Sequence, residues 1–522
     1  MNGQLTGIQT ALRAGAWLLL ACFAGCASTP PTPVHRVAQY APPPQMTSAF
    51  APVAQELESR FGPQSSGFLL LDDNRSALDW RLRLIDSARH TIDLQYYLWY
   101  GDTVGSLIAH RIIEAADRGV RVRLLVDDLN TLLKDAARVS QRDKVVAWLD
   151  AHPNIELRLF NPWKQRSLGG RVGESLTSVE RVNQRMHNKS LIVDNTAVII
   201  GGRNLGDEYM GLNKDFNFRD LDVLGVGPVA VEASTVFDIY WNSDWVLPVD
   251  ALGIDVPPEK QLEAKATLLN GLRRTEALEN IPLNPGVWSD DLAELAGRLL
   301  PGTARVVSDL PDGDTIQRHM LDETRSLIRS SRQQVKLVNA YIIPASETID
   351  MLEDLRDRGV AFDVLTNSLA SHDVPAVNSH YKAWRKPLLK AGVNLYEMRH
   401  DGATQAALAE TPPTRGKFMG LHSKAMAVDS RWVYIGSMNY DPRSAAINTE
   451  MGVFVDSPTL ALALNELIER DIEPSNSWRV YLDAEGGLVW SSSTGTVKRQ
   501  PARNWWQRVE DLFFMLFPKE LY

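Results

Sequence analysis

Two histidine-lysine pairs occur in the same pattern at two distant places in the chain. Each copy reads HxKxxxxD and is followed, after six further residues, by G[GS]xN. Imidazole acts as a nucleophile or a general acid and lysine adds positive charge, so the pattern predicts one catalytic site built from two halves. The side chains in question are His187, Lys189, Asp194 and Asn204 in the first copy, and His422, Lys424, Asp429, Ser437 and Asn439 in the second.

The spacing within each motif is that of a β-strand. His and Lys two residues apart point to the same face of a strand, whereas an Asp at an odd offset points to the opposite face. If the two copies face each other, one pocket holds two imidazoles, two ammonium groups and two amides. Such a pocket suits a tetrahedral phosphodiester anion, whose non-bridging oxygens need charge-assisted donors. As motif members, Asp194 and Asp429 are included among the predicted catalytic residues.

The chemistry predicted here uses neither a metal ion nor a cofactor. The sequence has no HExxH motif, no Gly-rich nucleotide loop and no GxSxG motif. Lysines beside both histidines disfavour a bound cation. The only two cysteines, Cys22 and Cys26, lie close to the N-terminus and leave the rest of the chain without a thiol ligand.

A repeated strand-helix-strand unit precedes each motif. In the first copy, a strand pattern at 87–97 is followed by a helix pattern at 104–118, Gly119 and a strand at 120–126. The same order returns at 330–339, 347–358, Gly359 and 360–365. This predicts an α/β fold of two pseudo-twofold-related domains, each a mixed sheet flanked by helices, with the site at their interface.

Composition shifts divide the 522 residues into six segments. More than one domain is expected at this length. The predicted segments are a signal peptide (1–25), a Pro-rich tether (26–55), a first domain (56–250), a connector that also covers the site (251–305), a second domain (306–475) and a C-terminal aromatic tail (476–522). The tail either contacts a membrane interface or docks on the core of the protein.

The N-terminus predicts export. An apolar run at 14–24 is too short to span a bilayer and leads into Phe-Ala-Gly-Cys, which resembles a bacterial lipobox with Cys26 as the lipidated residue. The alternative is an ordinary cleaved signal peptide. We expect an exported lipoprotein that is anchored in the inner or the outer membrane of the bacterial envelope and faces the periplasm. A formal charge of −9 disfavours nucleic acid as a partner.

The paired motifs resemble the HKD motifs of the phospholipase D superfamily. That resemblance implies a covalent phosphohistidine intermediate, with His187 as nucleophile and His422 as general acid, or the reverse. It also implies a carboxylate that orients each histidine, and Asp220 and Glu450 stand at the corresponding places. Asn204, Ser437 and Asn439 are expected to bind the substrate phosphate. The first copy departs from the family by having Gly202 where a serine is usual.

Within the superfamily, the chain looks most like the bacterial cardiolipin synthase C group. This implies phosphatidyl transfer between phospholipids in a membrane. The expected substrate is phosphatidylglycerol, and phosphatidylethanolamine is a second candidate. One alternative is a phospholipase D that hydrolyses phospholipid to phosphatidic acid. Others are a phosphodiesterase or nuclease and a non-catalytic lipoprotein scaffold. Nothing in the sequence indicates an oligomeric state.

Overall fold

The structure is a computed structural model that describes residues 37–128, 139–164, 171, 173–174, 177–254, 256–313 and 315–515. The predicted signal peptide, Cys26 and the start of the tether lie outside these residues. Within the described ranges, no helix has the length and apolar character needed to cross a bilayer.

The first half alternates strands with helices. Its elements are α1 (Ala51–Phe61), β1 (Ser66–Leu71), α2 (Asn74–Ser87), β2 (Thr91–Tyr96), α3 (Thr103–Asp117), β3 (Arg121–Asp127), α4 (Val139–Asp150), β4 (Ile155–Phe160), α5 (Val179–Asn183), β5 (Ser190–Val193), β6 (Ala197–Gly201), β7 (Phe216–Arg219), β8 (Asp222–Val226), α6 (Pro228–Trp241), β9 (Val246–Pro248), α7 (Pro258–Arg274) and α8 (Ser289–Arg298).

The second half repeats this order and adds strands at its end. Its elements are β10 (Leu300–Ser308), β11 (Leu310–Asp312), β12 (Thr315–Gln317), α9 (Met320–Ser330), β13 (Gln334–Asn339), α10 (Ser346–Asp357), β14 (Ala361–Asn367), α11 (Pro375–Tyr381), α12 (Arg385–Lys390), β15 (Asn394–Met398), α13 (Gln405–Leu408), β16 (Phe418–Leu421), β17 (Lys424–Val428), β18 (Trp432–Gly436), α14 (Pro442–Ala446), β19 (Met451–Asp456), α15 (Pro458–Ile472), β20 (Ser477–Leu482), β21 (Leu488–Ser492), β22 (Gly495–Val497) and α16 (Trp505–Phe514).

One mixed sheet runs through both halves. Its order is β9-β4-β3-β2-β5-β6-β8-β1 in the first half and β10-β19-β18-β17-β13-β14-β15-β20-β21-β22 in the second. Antiparallel pairing of β1 with β10 joins the two halves. Read outward from this junction, the strands follow the same order on both sides. The α/β architecture of two pseudo-twofold-related domains is therefore confirmed.

The strand-helix-strand units form where the repeat predicted them. Helix α3 begins after Asp102, whose carboxylate accepts the backbone N–H of Gly105 and so caps the helix. It ends before Gly119, which has a φ of 94°, and α10 ends in the same way before Gly359, with a φ of 77°. Glycine adopts this left-handed conformation without the Cβ penalty of other residues.

Two of the predicted segments, the connector and the C-terminal tail, contain elements that pack on the two halves. The segment predicted as a connector contributes α7 and α8, whose Leu268 and Leu295 belong to the hydrophobic core of the first half, and then begins β10 at Leu300. The segment predicted as a tail begins with β20, which pairs with β15. Composition alone does not indicate a short strand that extends an existing sheet.

The end of the predicted tether packs on the first half. The backbone N–H of Gln39 donates to Asn242, and that of Ala41 donates to Asp238. Helix α1 then begins at Ala51, and its Val53 is buried. At least from Gln39, this segment is part of the folded body.

Candidate active site

Two short parallel strand contacts bring the motifs of the two halves together. Strand β16, which ends directly before His422, pairs with β7, which ends directly before Asp220. On the other side of the pseudo-twofold axis, Met186 forms a parallel bridge with Thr449. These contacts place His422 beside Asp220 and His187 beside Glu450.

Each histidine consequently contacts the carboxylate of the opposite half. His187 Nδ1 lies 2.8 Å from Glu450 Oε2, and His422 Nδ1 lies 2.6 Å from Asp220 Oδ2. All four side chains are buried, and the two histidines are only 6% and 5% exposed. With the Nδ1 proton directed to the carboxylate, the Nε2 atom of each ring is left available for reaction. The predicted orienting residues are therefore in contact with the histidines, in a crossed arrangement.

Both motif lysines lie in the same buried site. The ammonium group of Lys189 donates to the carbonyl oxygen of His187 at 2.6 Å, and that of Lys424 donates to the carbonyl oxygen of His422 at 2.5 Å. Burial lowers the pKa of Lys189 well below its usual value and that of Lys424 to about 8. A bound anion would favour the charged form of both lysines.

The electrostatic environments of the two histidine-carboxylate pairs differ. Burial and the positive charges of Lys189 and Lys424 lower the pKa of His187 well below its usual value. Burial raises the pKa of Glu450 to about 8, against the opposing effect of Lys189. The pKa of Asp220 is instead lowered: burial raises it, but the charge and hydrogen bond of His422, with the charges of Lys424 and Arg203, outweigh burial. Asp220 is therefore the more firmly ionised of the two orienting carboxylates.

The pKa of His422 is also lowered by burial and by Lys424, but Asp220 opposes this through its charge and its hydrogen bond. Of the two rings, His422 is thus the one with the ionised carboxylate as a direct partner. The two histidine-carboxylate pairs are related by the backbone symmetry, but their groups differ in proton affinity.

Asp194 and Asp429 do not take part in this site, which corrects their assignment as catalytic residues. Asp194 accepts the backbone N–H groups of residues 89–91, and Asp429 accepts those of residues 332–334. Both have a φ of 52° and begin the turn to the next strand. Their carboxylates point to the opposite face from His and Lys, as the strand spacing predicted, and they tie that turn to the start of β2 or β13.

The three predicted phosphate-binding residues differ in how they are engaged. Asn204 accepts the backbone N–H of Leu98 at 3.2 Å. The hydroxyl of Ser437 donates to Glu450 Oε2, the same oxygen that contacts His187. Asn439 has a buried amide oxygen without a partner among the described residues. Their binding of phosphate stays a prediction, and Ser437 has a positioning contact that was not predicted.

The departure at Gly202 has a steric cause. A Cβ atom on Gly202 would lie 2.4 Å from Asp220 Oδ1, closer than non-bonded atoms approach. The second half has the longer Glu450 and a serine at the equivalent position. The carboxylate that contacts the opposite histidine is thus accommodated in two ways. Asp220 is paired with Gly202, and Glu450 is paired with Ser437.

Aromatic rings that were not identified from the sequence enclose both histidines. Tyr97 contacts His187 edge-on, with ring centroids 4.8 Å apart. Tyr209 and Phe218 contact His422 at centroid distances of 5.2 and 4.8 Å, and Tyr341 lies at 6.5 Å. The signal that could have found Tyr97 and Tyr341 is their place one and two residues after the ends of β2 and β13, at the carboxyl edge of the sheet. Within the described ranges no cluster of three or more potential metal ligands occurs.

The comparison with known proteins agrees with this geometry. A family model described as "Cardiolipin synthase, PLD-like domain" matches residues 82–241 and 324–472, one stretch in each half. The chain belongs to the phospholipase D superfamily. As a phospholipase D superfamily member it is an enzyme, a phosphatidyltransferase or phosphodiesterase, as its paired motifs predicted.

Among its relatives is cardiolipin synthase C of Escherichia coli K12, which is 34% identical over 492 residues, 91% of this chain and 99% of that protein. Cardiolipin synthase 1 of Staphylococcus aureus MRSA252 is 25% identical and aligns with 77% of this chain and 66% of its own length. A solved structure, phosphatidylserine synthase of Haemophilus influenzae, has a TM-score of 0.53 at 13% identity, covering 80% of this chain and 91% of that one. That last similarity concerns the phospholipase D-like fold alone.

Proposed function

We propose that this enzyme transfers a phosphatidyl group from one phospholipid to the alcohol of another, as a cardiolipin synthase does, through a covalent phosphohistidine. The observation that carries the proposal is the pair of buried, crossed and electrically unequal histidine-carboxylate contacts in one site. The relatives named as cardiolipin synthases support phosphatidylglycerol as a substrate. Phosphatidylethanolamine is the second candidate donor.

In the first step, the Nε2 atom of His187 attacks phosphorus and the bond to the headgroup oxygen breaks. His422 gives its Nε2 proton to that oxygen, so the headgroup leaves as a neutral alcohol. In the second step, the acceptor alcohol gives its proton to His422 and attacks phosphorus, and the bond to His187 breaks. The free enzyme is regenerated with His422 again protonated at Nε2 and His187 free to attack.

The difference between the two carboxylates supports this division of roles. An attacking imidazole must be neutral, and the pKa of His187 is held well below its usual value by burial and by Lys189. A general acid must carry a proton, and Asp220 opposes the lowering of the His422 pKa by burial and Lys424, so His422 is the more readily protonated of the two rings. Lys189 and Lys424 supply positive charge to the non-bridging oxygens.

Transfer is favoured over hydrolysis by the burial of the site. Both histidines are nearly inaccessible to solvent, and the rings of Tyr97 and Tyr209 pack against them. Excluding water protects a phosphoenzyme until an alcohol arrives. The alternative, a phospholipase D that forms phosphatidic acid, uses the same first step and differs in the second.

One experiment separates these two reactions. Purified enzyme receives isotopically labelled phosphatidylglycerol, with and without phosphatidylethanolamine, and the products are identified by mass spectrometry. We expect labelled cardiolipin and free glycerol. Phosphatidic acid as the only labelled lipid would assign the hydrolytic function instead, and the lipid that increases the cardiolipin yield identifies the donor.

We further propose that helix α16 contacts the membrane. Its polar side faces the protein: Asn378 and Lys382 donate to the carboxylate of Asp511 at 2.6 and 2.7 Å. Its apolar side faces outward, where Trp505 is 71% and Leu512 65% exposed. An aromatic and apolar face held outward by buried polar contacts suits the membrane interface.

The double variant Trp505→Ala/Trp506→Ala should sediment less with anionic liposomes, with an unchanged melting temperature. Trp432→Ala, which removes another partly exposed indole, is the matched control. Equal liposome binding by the double variant and the wild type would exclude this contact.

Export and lipidation of Cys26 are proposed on the lipobox-like sequence alone, with the enzyme facing the periplasm. Expressed as the full chain, Cys26→Ala should lack the mass of the acyl groups and should be a soluble or unprocessed protein. An intact mass that differs from that of the wild type only by the substitution would show that Cys26 is not lipidated.

A further inference from the structure

An apolar cavity lies in the first half, between the sheet and three helices. Its volume is about 600 Å³, and α3, α4 and α7 enclose it together with the ends of β3 and β4. Aliphatic and aromatic side chains form most of its walls, and the polar ones lie at the start of α3 (Asp102, Thr103 and Ser106) and on or just after α7 (Thr267 and Thr275). The apolar walls include Trp99, Val126, Leu149, Leu159, Ala264 and Leu268.

The cavity lies one layer away from the active site. Trp99 lines the cavity, and Tyr97, two residues earlier, packs against His187. Two residues of extended chain span at most about 7 Å. Val126 also lines the cavity, and the next residue, Asp127, accepts the backbone N–H of Met186, directly before His187.

A polar cavity of about 490 Å³ adjoins the apolar one. Thr103 and Thr275 line both cavities, and Lys214 and Arg274 are among the other residues of the polar one. The segment that contributes Asp207 and Leu212 to its wall also carries Tyr209, which contacts His422. Together the two cavities form an apolar compartment with a polar end, and each has a lining residue two positions from a ring that contacts a catalytic histidine: Trp99 near Tyr97, and Asp207 near Tyr209.

We propose that the apolar cavity binds an acyl chain of the phospholipid that reacts at His187 and His422. This inference rests on the proposed function and identifies where one part of the substrate binds. The volume lies within the range of about 300–1,000 Å³ typical of ligand pockets. It offers room for about twenty groups of the size of a water molecule, which suits one long acyl chain.

Helix α7 acquires a role under this proposal. It belongs to the segment between the two repeats and forms one wall of the cavity through Ala264, Leu268 and Gly271. Ala264 is buried, whereas Ala266 on the same helix is exposed and does not line the cavity. The two alanines offer a matched pair of positions for a test.

The test replaces each alanine with leucine in the full chain. With dioleoyl phosphatidylglycerol in mixed micelles, Ala264→Leu should lower kcat/KM at least tenfold, because the added side chain occupies the cavity. With dihexanoyl phosphatidylglycerol, whose chains are too short to fill it, the rate should fall less than twofold. Ala266→Leu should leave both rates unchanged.

If Ala264→Leu does not fold, Gly271→Leu replaces it. A Cβ atom on Gly271 meets no other atom within 4 Å, and removing a glycine from a helix interior favours the helix. Gly297→Leu on α8, where the added Cβ is equally free and lies outside the cavity, is its control.

A direct measurement uses phosphatidylglycerol with a photoreactive diazirine at the end of one acyl chain. Cross-linked peptides from α3, α4 or α7 that decrease in the filled variant would support the proposal. The proposal would be overturned if Ala264→Leu lowered kcat/KM equally for dioleoyl and dihexanoyl phosphatidylglycerol, or if the cross-links were confined to α16. If the wild type releases nitrophenol from an aryl phosphodiester but reacts with neither phospholipid, the proposed function fails rather than the cavity assignment.

Discussion

Replacing Asp220 with asparagine should impair departure of the leaving group and not nucleophilic attack. Asp220 belongs to the same half as His187, but its carboxylate contacts His422. Asparagine keeps the size of the side chain and removes the negative charge that favours protonation of His422. Glu450→Gln should have the complementary effect, because Glu450 contacts His187.

The magnitude follows from the contact that is weakened. The hydrogen bond between His422 Nδ1 and Asp220 Oδ2 is 2.6 Å long and lies between buried groups. A hydrogen bond to a charged group contributes about 1.5–3 kcal/mol, and about 1.36 kcal/mol corresponds to a tenfold change in rate. We therefore expect Asp220→Asn to lower the rate on phosphatidylglycerol by about 10- to 150-fold.

The assay compares two substrates for each variant. Phosphatidylglycerol has a poor leaving group that needs a proton, whereas a 4-nitrophenyl phosphodiester has a good one that needs little protonation. Asp220→Asn should therefore retain most activity on the aryl substrate and share this profile with His422→Ala. Glu450→Gln and His187→Ala should lose activity on both substrates.

Two results would change these conclusions. If Asp220→Asn shares the profile of His187→Ala instead of His422→Ala, the crossed contacts do not operate in catalysis. If the aryl substrate rescues Glu450→Gln and His187→Ala but not the other two variants, the crossed contacts stand and the roles of the histidines are reversed.

Three further predictions concern steric fit and protonation. Gly202→Ser should displace the Asp220 carboxylate and lower activity on phosphatidylglycerol. Adding Asp220→Glu should restore much of that activity, and no gain in the double variant would contradict the steric explanation. Because burial lowers the pKa of Lys424 to about 8, the affinity for diethyl phosphate should fall as the pH rises through 8, and Lys424→Arg should abolish this fall. Burial and the neighbouring Asp207 raise the pKa of Asp102 to about 7. The contribution of Asp102 to stability is therefore greatest at acidic pH and is lost between about pH 4 and 7. Asp102→Asn should flatten this pH dependence of the melting temperature, and an unchanged slope would contradict the prediction.

The strand-borne part of the site follows from local sequence. His187 and Lys189 have the spacing that places two side chains on one face, and the repeat located the second pair on an equivalent strand. The same spacing placed Asp194 on the opposite face, but its role in holding a turn depends on the three backbone N–H groups of a distant segment. The sequence does not show which backbone lies opposite a given strand face.

The crossed contacts were not predictable for a related reason. They depend on pairing as short as the single bridge between Met186 and Thr449, and pairing between distant segments has no signal in either segment alone. Helix α16 shows another limit. Its apolar residues suggested either burial or membrane contact, whereas the structure anchors it through Gln507 and Asp511 and leaves the indoles outside.

The exchange of carboxylates across the pseudo-twofold axis links activity to completion of the polypeptide. A fragment that ends after the first half keeps His187 but lacks Glu450, and a second half on its own keeps His422 but lacks Asp220. Neither an incomplete translation product nor an intermediate with one folded half contains an oriented imidazole. Catalytic activity therefore requires that both halves have folded and docked.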